Sequence, residues 1–562
     1  MSGKKGEGRT TAKSAFPVRM PSWKIAFALI ILVYGLLSGY AASIETPTVD
    51  EFAHVPTGLS YWQTGQFELY GKSPPLARLW MALPARLLLS LQLPPSPANP
   101  SGWGPWEFGQ AFEYLNTKSY FQVFFLARLS IIALSILTSL LIFLWIRKLF
   151  DPWIAVLGAG LFLLSPTVLA HGHLATTDAA ITLAVFAFVF SLRWPQTSRP
   201  ALSAAVSGCL FGLAFATKFT AIAFFPLLVV SAFWPVRNWK SSLSYLAISI
   251  CCAWFVVVCA YGFERPLTLM TTLKMGSTLL QKCQALWPSS IPLPLPRSLL
   301  KGFDAQLMDI EQGEFGNYLL GRWSTKGWWY YNLLAFLFKE TIAFILLVCL
   351  IVWAVVRRPP SRFDAVYLFL PMVLMSVSLL RAMHLQIGIR YLLPLFPFLA
   401  VAMAYPLSLL VRQPGLPRVL TGLAGIFLLV SLVVSFPSYI SYFNALSGLV
   451  GKPDELLLDS NLDWGQDLYR LKDINREFPQ DPIYLLYFGH VQPQHYGIKY
   501  KLPPAAPVKG IFAVSANFVR GYAYVAPAPN GTFMKVPRGY AEWLTAHKPL
   551  RAEGSIYLYD LR

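Results

Sequence analysis

Charged residues are scarce. Asp, Glu, Lys and Arg make up 13% of the 562 residues, about half the share usual in soluble globular domains, which excludes a water-soluble class for the chain as a whole. The six cysteines (Cys209, Cys251, Cys252, Cys259, Cys283 and Cys349) lie mostly inside apolar stretches, with no C-x-x-C and no paired spacing in the hydrophilic parts. They are assigned no role, disulfide or metal. No internal repeat, low-complexity tract or glycine-rich phosphate loop occurs, which removes solenoids and P-loop nucleotide binders. Acids are the scarcer charge, 27 against 46 Lys and Arg, for a formal net charge of +19. Such an excess could serve a nucleic-acid binder. Its placement argues otherwise: it sits in the N-terminal tail (Lys4, Lys5, Arg9, Lys13, Arg19) and in short connections between apolar runs, as the positive-inside rule expects of cytoplasmic segments.

What is abundant is apolar sequence, 55% of the chain. About eleven runs of roughly 18–22 apolar residues, each long enough to cross a hydrocarbon core at 1.5 Å per residue, recur between residues 23 and 437. They are placed near 23–43, 120–146, 152–170, 175–193, 200–216, 219–235, 242–263, 333–356, 364–381, 389–411 and 417–437. Many Trp and Tyr sit near their ends, where an amphipathic ring suits the headgroup region. The first run is followed by Ala41, Ala42 and Ser43 as a cleavable signal would be, but its long apolar block favours an uncleaved anchor.

With residues 1–22 as a cytoplasmic basic tail, the connections 147–148, 193–199, 237–240, 357–362 and 412–418 also fall inside, and each is basic. Four hydrophilic regions then face outward: 44–119, the turn 171–178, 264–332 and the tail 438–562. Residues 74–93 are apolar but broken by Pro75, Arg78, Pro84 and Arg86, which favours an interfacial amphipathic helix over another span. In the tail, 483–488, 510–514 and 555–559 read as strands and 464–476 and 539–546 as helices. The expected architecture is an α-helical polytopic membrane protein, its membrane part 23–437, with a small C-terminal α/β extracytoplasmic domain, 438–562.

Residues suited to chemistry cluster in the outward regions. Asp50 and Glu51 are adjacent carboxylates at a membrane boundary. Apolar surroundings raise a carboxyl pKa and suit a general base, but the pair could equally cap an interfacial helix. Asp178 follows Thr176-Thr177 at the outer start of a span, where the same two readings apply. His171 and His173 beside it suggest a metal, yet side chains two apart project differently on a helix and no carboxylate–His cluster is evident. Lys72, Arg78, Lys218, Arg322, Lys339 and Arg390 fall at or near outer span ends. Lys218 and Arg390 adjoin apolar sequence, where a charge marks an ion or substrate path; such cations could grip a phosphate or diphosphate or snorkel to headgroups. In the tail, Asp459-Ser460-Asn461-Leu462-Asp463-Trp464-Gly465-Gln466-Asp467-Leu468 is rich in hydrogen-bonding groups around one Trp. That composition suits sugar recognition, through Asp463 and Trp464, or a capped turn.

Together D-E-x-x-H at 50–54, the G-x-x-Y-x-x-x-G-x-F and P-P-L elements at 58–76, A-T-T-D at 175–178 and R-Y-L-L-P at 390–394 resemble the membrane glycosyltransferases of the GT-C fold. The likeness is to the branch holding protein O-mannosyltransferases and the aminoarabinose transferase of lipid A, and it covers roughly residues 23–440. The 459–468 stretch also looks like one found in bacterial members of this group. The resemblance implies a polyprenyl-phosphate-linked sugar donor held between spans, Asp50 as base with Glu51 beside it, and Asp178 near the reaction centre. It further implies Lys72, Arg78, Lys218 and Arg390 around the donor phosphate, with His54 and Tyr391 in the same motifs. Lys directly precedes Pro-Pro in the lipid A enzymes, whereas Ser73 intervenes here. No stretch of the tail resembles the β-trefoil insertion of eukaryotic protein O-mannosyltransferases.

The expected reaction is inverting displacement at the anomeric carbon, with Asp50 taking the proton of an acceptor hydroxyl or amine and polyprenyl phosphate leaving. The acceptor is a lipid, glycan or protein. No cofactor is required, a divalent metal being the open alternative, and no nucleic-acid partner is expected. A transporter or flippase would show inverted repeats and mid-span charges, and a scaffold would leave Asp50 and Asp178 dispensable. The expected location is the bacterial cytoplasmic membrane, with the N-terminus inside and residues 438–562 in the periplasm.

Overall fold

The computed structural model of the protein describes residues 22–95, 104–193, 199–234, 238–313, 316–411 and 413–562. The N-terminal basic tail through residue 21, and the basic residues Arg237 and Arg412, lie outside the described residues. Among the described residues six helices are long and apolar enough to cross a membrane by length and composition: Trp23–Ile44, Tyr120–Leu149, Pro200–Thr217, Trp239–Ala260, Arg362–Arg381 and the segment Ile389–Leu410. Shorter apolar helices, Pro152–Leu163, Thr177–Leu192, Phe219–Phe233, Ile342–Arg357 and Thr421–Ser435, occupy the other positions where spans were expected. The protein is a multi-pass helical membrane protein.

Several of these helices are interrupted, and the causes are local. The run expected over 152–170 breaks where Ser165 caps Pro166–His171 by accepting from Val168 N. The run over 333–356 breaks where Thr341 caps Ile342–Arg357 by accepting from Phe344 N. Two further stretches, Phe219–Phe224 and Ile389–Leu395, wind as tight 3-10 turns before their helices. Irregular backbone at membrane depth is tolerated where it lines a cavity, and Lys218 and Arg390 sit at these two turns.

Outside the bundle, residues 44–119 form three short helices, Val49–Thr64, Leu76–Leu88 and Pro105–Leu115. The second has 13 residues, about 20 Å, too short for a hydrocarbon core of about 30 Å. It buries Ala77, Arg78, Met81, Ala82 and Ala85 and exposes Leu87 and Leu88, so it lies across the bundle as an amphipathic element. Gly58 lets it approach: a Cβ there would meet the Arg78 carbonyl oxygen at 2.2 Å.

The tail folds around a four-stranded mixed sheet. Ile483–Leu486 pairs parallel with Ile511–Ser515, which pairs antiparallel with Ile556–Asp560, flanked antiparallel by Arg551–Glu553. The three expected strands are present. The helix expected over 464–476 is replaced by two single turns, Leu468–Leu471 and Ile474–Glu477. Gly465 adopts φ +88°, the Asp463 side chain accepts from Gly465 N and Asp467 accepts from Ser555 N. Side-chain bonds to nearby backbone thus outcompete the helix. The stretch 539–546 likewise shortens to the turn Glu542–Ala546, after Gly539 at φ +80°.

Two buried cations tie these parts together. Arg128, on the Tyr120–Leu149 helix, donates to both Glu51 carboxylate oxygens at 2.8 and 2.7 Å and to the carbonyls of Ala42, Glu45 and Thr46. Lys339 donates to the carbonyls of Ile440, Tyr442 and Asn461, clamping the start of the tail to the bundle. Removing one partner of a buried pair costs about 3–5 kcal/mol. Glu51→Ala is therefore expected to lower the thermal midpoint of the detergent-solubilised chain by several degrees; an unchanged midpoint would contradict the pairing with Arg128.

Candidate active site

The adjacent carboxylates Asp50 and Glu51 part ways because successive helix positions are about 100° apart. Thr48 is the N-cap of Val49–Thr64, and Glu51 at the third helical position closes a capping box with it, accepting from Thr48 N at 2.9 Å and Thr48 Oγ1 at 3.0 Å. It also accepts from Ala175 N at 2.7 Å. Burial works to raise the Glu51 carboxyl, but the charge and hydrogen bonds of Arg128 outweigh it and hold the group below the usual range. The expectation that Glu51 is catalytic is corrected by this geometry: every direction it faces is occupied, and it does not line the cavity. Asp50, one residue earlier, points the other way, and its Oδ2 accepts from Arg390 Nη1 at 2.7 Å.

Asp50 opens on a cavity of about 680 Å³ lined by residues of the bundle, of the 44–119 segment and of the tail, within the size range of small-molecule sites. Asp178, at the first turn of Thr177–Leu192, accepts from Lys218 Nζ at 2.7 Å and lies 3.5 Å from Arg390 Nη1. Asp50, Asp178, Lys218 and Arg390 thus form one alternating cluster. Lys218 stands 5.2 Å over the Tyr391 ring and Arg390 stands 4.2 Å over the Trp464 ring. Beyond the charges the wall turns apolar, through Ile181, Phe219, Met375, Leu379 and Pro394.

Of the residues singled out in the sequence, Asp50, His54, Lys72, Asp178, Lys218, Arg390, Tyr391 and Trp464 line this cavity. His54 is buried, stacked 5.0 Å from Tyr70. Burial, then the Arg78 charge, pushes its imidazole well below the usual range, so it enters the site neutral. Lys72 is half exposed at the rim and pairs with Asp309 at 2.8 Å. Arg78 does not line the cavity. It is fully buried, donates to Tyr70 O at 2.8 Å, Ser73 Oγ at 2.7 Å and the Ser73 carbonyl, and stacks 4.7 Å over Tyr70. Its expected phosphate role gives way to bracing the turn that carries Lys72. Asp463 is likewise off the cavity: fully buried, it accepts from Gly465 N at 3.1 Å inside the tail.

Other lining residues had no sequence signal of their own. Asp459, Phe488, Tyr522 and Tyr524 come from the tail, Tyr70 and Trp106 from the 44–119 segment. Only Asp459 lay within a stretch singled out for its composition. Among the described residues no three His, Cys, Asp or Glu side chains group so as to hold a metal ion; His173 instead lies 2.9 Å from Glu45.

With this geometry in place, comparison with known proteins is informative over one segment. Residues 112–261 match the family model of the dolichyl-phosphate-mannose-protein mannosyltransferases. The match bears out the resemblance to this glycosyltransferase branch. It contains Asp178 and Lys218, whereas Asp50 and Arg390 lie outside it. No curated protein matches the chain. Among solved structures, the Saccharomyces cerevisiae protein O-mannosyltransferase complex bound to the sugar donor is 16% identical, with a TM-score of 0.32 over 43% of this chain and 33% of that one. This chain therefore spans about a third of that relative's length. ArnT from Cupriavidus metallidurans bound to undecaprenyl phosphate is 12% identical, TM-score 0.46, over 95% of this chain and 97% of that one. The Archaeoglobus fulgidus oligosaccharyltransferase is 12% identical, TM-score 0.42, over 85% and 60%.

Asp463 gives a pH test of the tail's packing. Burial pushes its carboxyl up to about 7, above an unfolded value of about 3.9. Because the folded state prefers the protonated form, stability is highest below the unfolded value and falls as pH rises towards 7. Asp463→Asn removes that loss, so its thermal midpoint relative to wild type is expected to gain more at pH 8 than at pH 5. An equal shift at both pH values would contradict the burial.

Proposed function

We propose that this protein transfers a sugar from a polyprenyl-phosphate carrier to an acceptor on the outer side of the membrane, with Asp50 as general base. The observation that carries this reading is the meeting, in one cavity at a membrane boundary, of a carboxylate, two cations and an apolar wall. A polyprenyl phosphosugar has the matching parts: an isoprenoid chain for the apolar wall, a phosphate for Lys218 and Arg390, and an anomeric carbon that would lie beside Asp50. The family match over 112–261 supports the same class. Residues 23–437 are assigned the transferase role and 438–562 an extracytoplasmic position, with the N-terminus in the cytoplasm of a bacterial cell.

In the proposed step an Asp50 carboxylate oxygen takes the proton of the acceptor hydroxyl or amine. The acceptor atom attacks the anomeric carbon while the bond from that carbon to the phosphate oxygen breaks. The electron pair leaves with polyprenyl phosphate, and the centre inverts. A phosphate departs readily as an anion, so no acid is needed and the two-carboxylate logic of glycosidases does not apply. Lys218 and Arg390 stabilise the charge that gathers on the leaving oxygen.

Without donor, Asp50 Oδ2 is occupied by the 2.7 Å hydrogen bond from Arg390 Nη1, so that oxygen is not free to take a proton. A donor phosphate offers Arg390 a second anion with bidentate geometry. Arg390 turns to it, and Asp50 is released as the substrate arrives. Arg390→Lys keeps the charge but loses the fork, so it is expected to weaken both carrier binding and transfer.

The test is transfer of radiolabelled sugar from polyprenyl-phosphate sugars in membranes with matched protein levels. Asp50→Asn is expected to lower transfer by about 10²–10⁴-fold, the usual contribution of a general base. A fully active Asp50→Asn protein would refute this assignment.

A further inference from the structure

The four-charge cluster accounts for one end of the cavity and the apolar wall for another, which leaves the face supplied by the tail. There Asp459 stands apart from the other carboxylates. Asp50 and Asp178 are ion-paired within the cluster and Asp309 with Lys72, but among the described residues Asp459 has no cation within ion-pair distance. Its side chain accepts from Ser460 N and from Tyr522 Oη, both at 2.6 Å. A carboxylate offers about four acceptor positions, so roughly two are left unused, and Asp459 lines the cavity. Asp459 is non-glycine at φ +57°, a conformation that persists only where surroundings enforce it. Its amide is held by Asn517 Oδ1 at 2.9 Å, and Ser460 Oγ next to it donates to the Ile387 carbonyl at 2.7 Å. Burial also pushes the Asp459 carboxyl up to about 6, as for an acceptor awaiting a donor.

Aromatic side chains complete the face. Tyr524 lines the cavity, and its hydroxyl makes no hydrogen bond among the described residues. Phe488, which also lines the cavity, packs against it with ring centroids 4.7 Å apart. Trp464 is not free for this task, because Arg390 covers its ring at 4.2 Å. An open carboxylate beside an aromatic hydroxyl and ring is the chemistry that recognises a polyhydroxylated ring: hydroxyls donate to the carboxylate and the ring face packs on an aromatic.

We infer that the C-terminal segment is the sugar-recognition half of the active site, with Asp459 accepting hydrogen bonds from ring hydroxyls of the transferred sugar and Tyr522 and Tyr524 shaping the subsite. The inference rests on the carrier-dependent reading above and assigns choice of donor sugar to the tail. Carrier grip belongs to the membrane part.

The two claims separate in a binding experiment on the full chain in nanodiscs, with undecaprenyl phosphate and its mannosyl, glucosyl and galactosyl forms as probes. Wild type is expected to bind bare undecaprenyl phosphate and to hold at least one sugar-loaded form about tenfold tighter or more, the scale of one or two hydrogen bonds to a charged group. Asp459→Asn is expected to lose most of that preference while binding the bare carrier within about twofold of wild type. Asn tolerates positive φ, so this variant keeps the backbone. Tyr522→Phe provides a second probe and is expected to reduce the preference by a smaller factor. A preference retained in both variants, or no sugar-loaded probe held tighter than the bare carrier by wild type, overturns the subsite. Failure of wild type to bind bare undecaprenyl phosphate overturns the carrier-dependent function, and the subsite with it.

Discussion

Four charges brought together in one cavity of the helix bundle are the constraint on which the rest of the structure turns. Asp50, Asp178, Lys218 and Arg390 come from four separate stretches of chain, and buried charges survive only when paired. Each carboxylate therefore has a cation at 2.7 Å, and Arg390 lies near both. The arrangement is neutral without substrate, and within it Arg390 Nε has no hydrogen-bond partner among the described residues. It is also exchangeable, because a phosphate can replace a carboxylate as the partner of Arg390 without leaving either cation bare.

Much of the surrounding fold serves to hold that cluster in register. Glu51 and Arg128 fix the start of the Val49–Thr64 helix and so the direction of Asp50. Lys339 holds the Asn461 carbonyl, and the Asn461 side chain accepts from Ile389 N at 2.9 Å, one residue before Arg390. Trp464 then lies against the guanidinium. The tail and the 44–119 segment meet in backbone hydrogen bonds as well, from Thr46 N to Gln466 O and from Val49 N to Trp464 O. The tail is part of the site's construction, and the residues that position Arg390 are shared between the two halves of the chain.

The sequence disclosed the bundle well, because apolar runs of spanning length report directly on the solvent they need. It also disclosed Asp50, Asp178, Lys218 and Arg390, since charges beside apolar sequence are costly enough to stand out. It could not divide Asp50 from Glu51, whose neighbouring positions carry the same chemistry until helix phase and the Arg128 partner are known. Arg78 was illegible for a related reason: a guanidinium that braces a turn and one that grips a phosphate look alike in one dimension. Asp463 and the expected 464–476 helix failed because side-chain bonds to Gly465 and from Ser555 are decided by tertiary contacts. Tyr522 and Tyr524 meet the cavity only through the docking of the tail, a contact between residues hundreds of positions apart in sequence.

The account depends most on the exchange of partners at Arg390, and an experimentally determined structure of the chain with bound undecaprenyl phosphate tests it directly. The account predicts phosphate oxygens between Lys218 and Arg390, with the Asp50–Arg390 contact opened beyond hydrogen-bond distance and Asp50 facing free space in the cavity. A phosphate seated elsewhere, with the 2.7 Å Asp50–Arg390 pair intact, would contradict it.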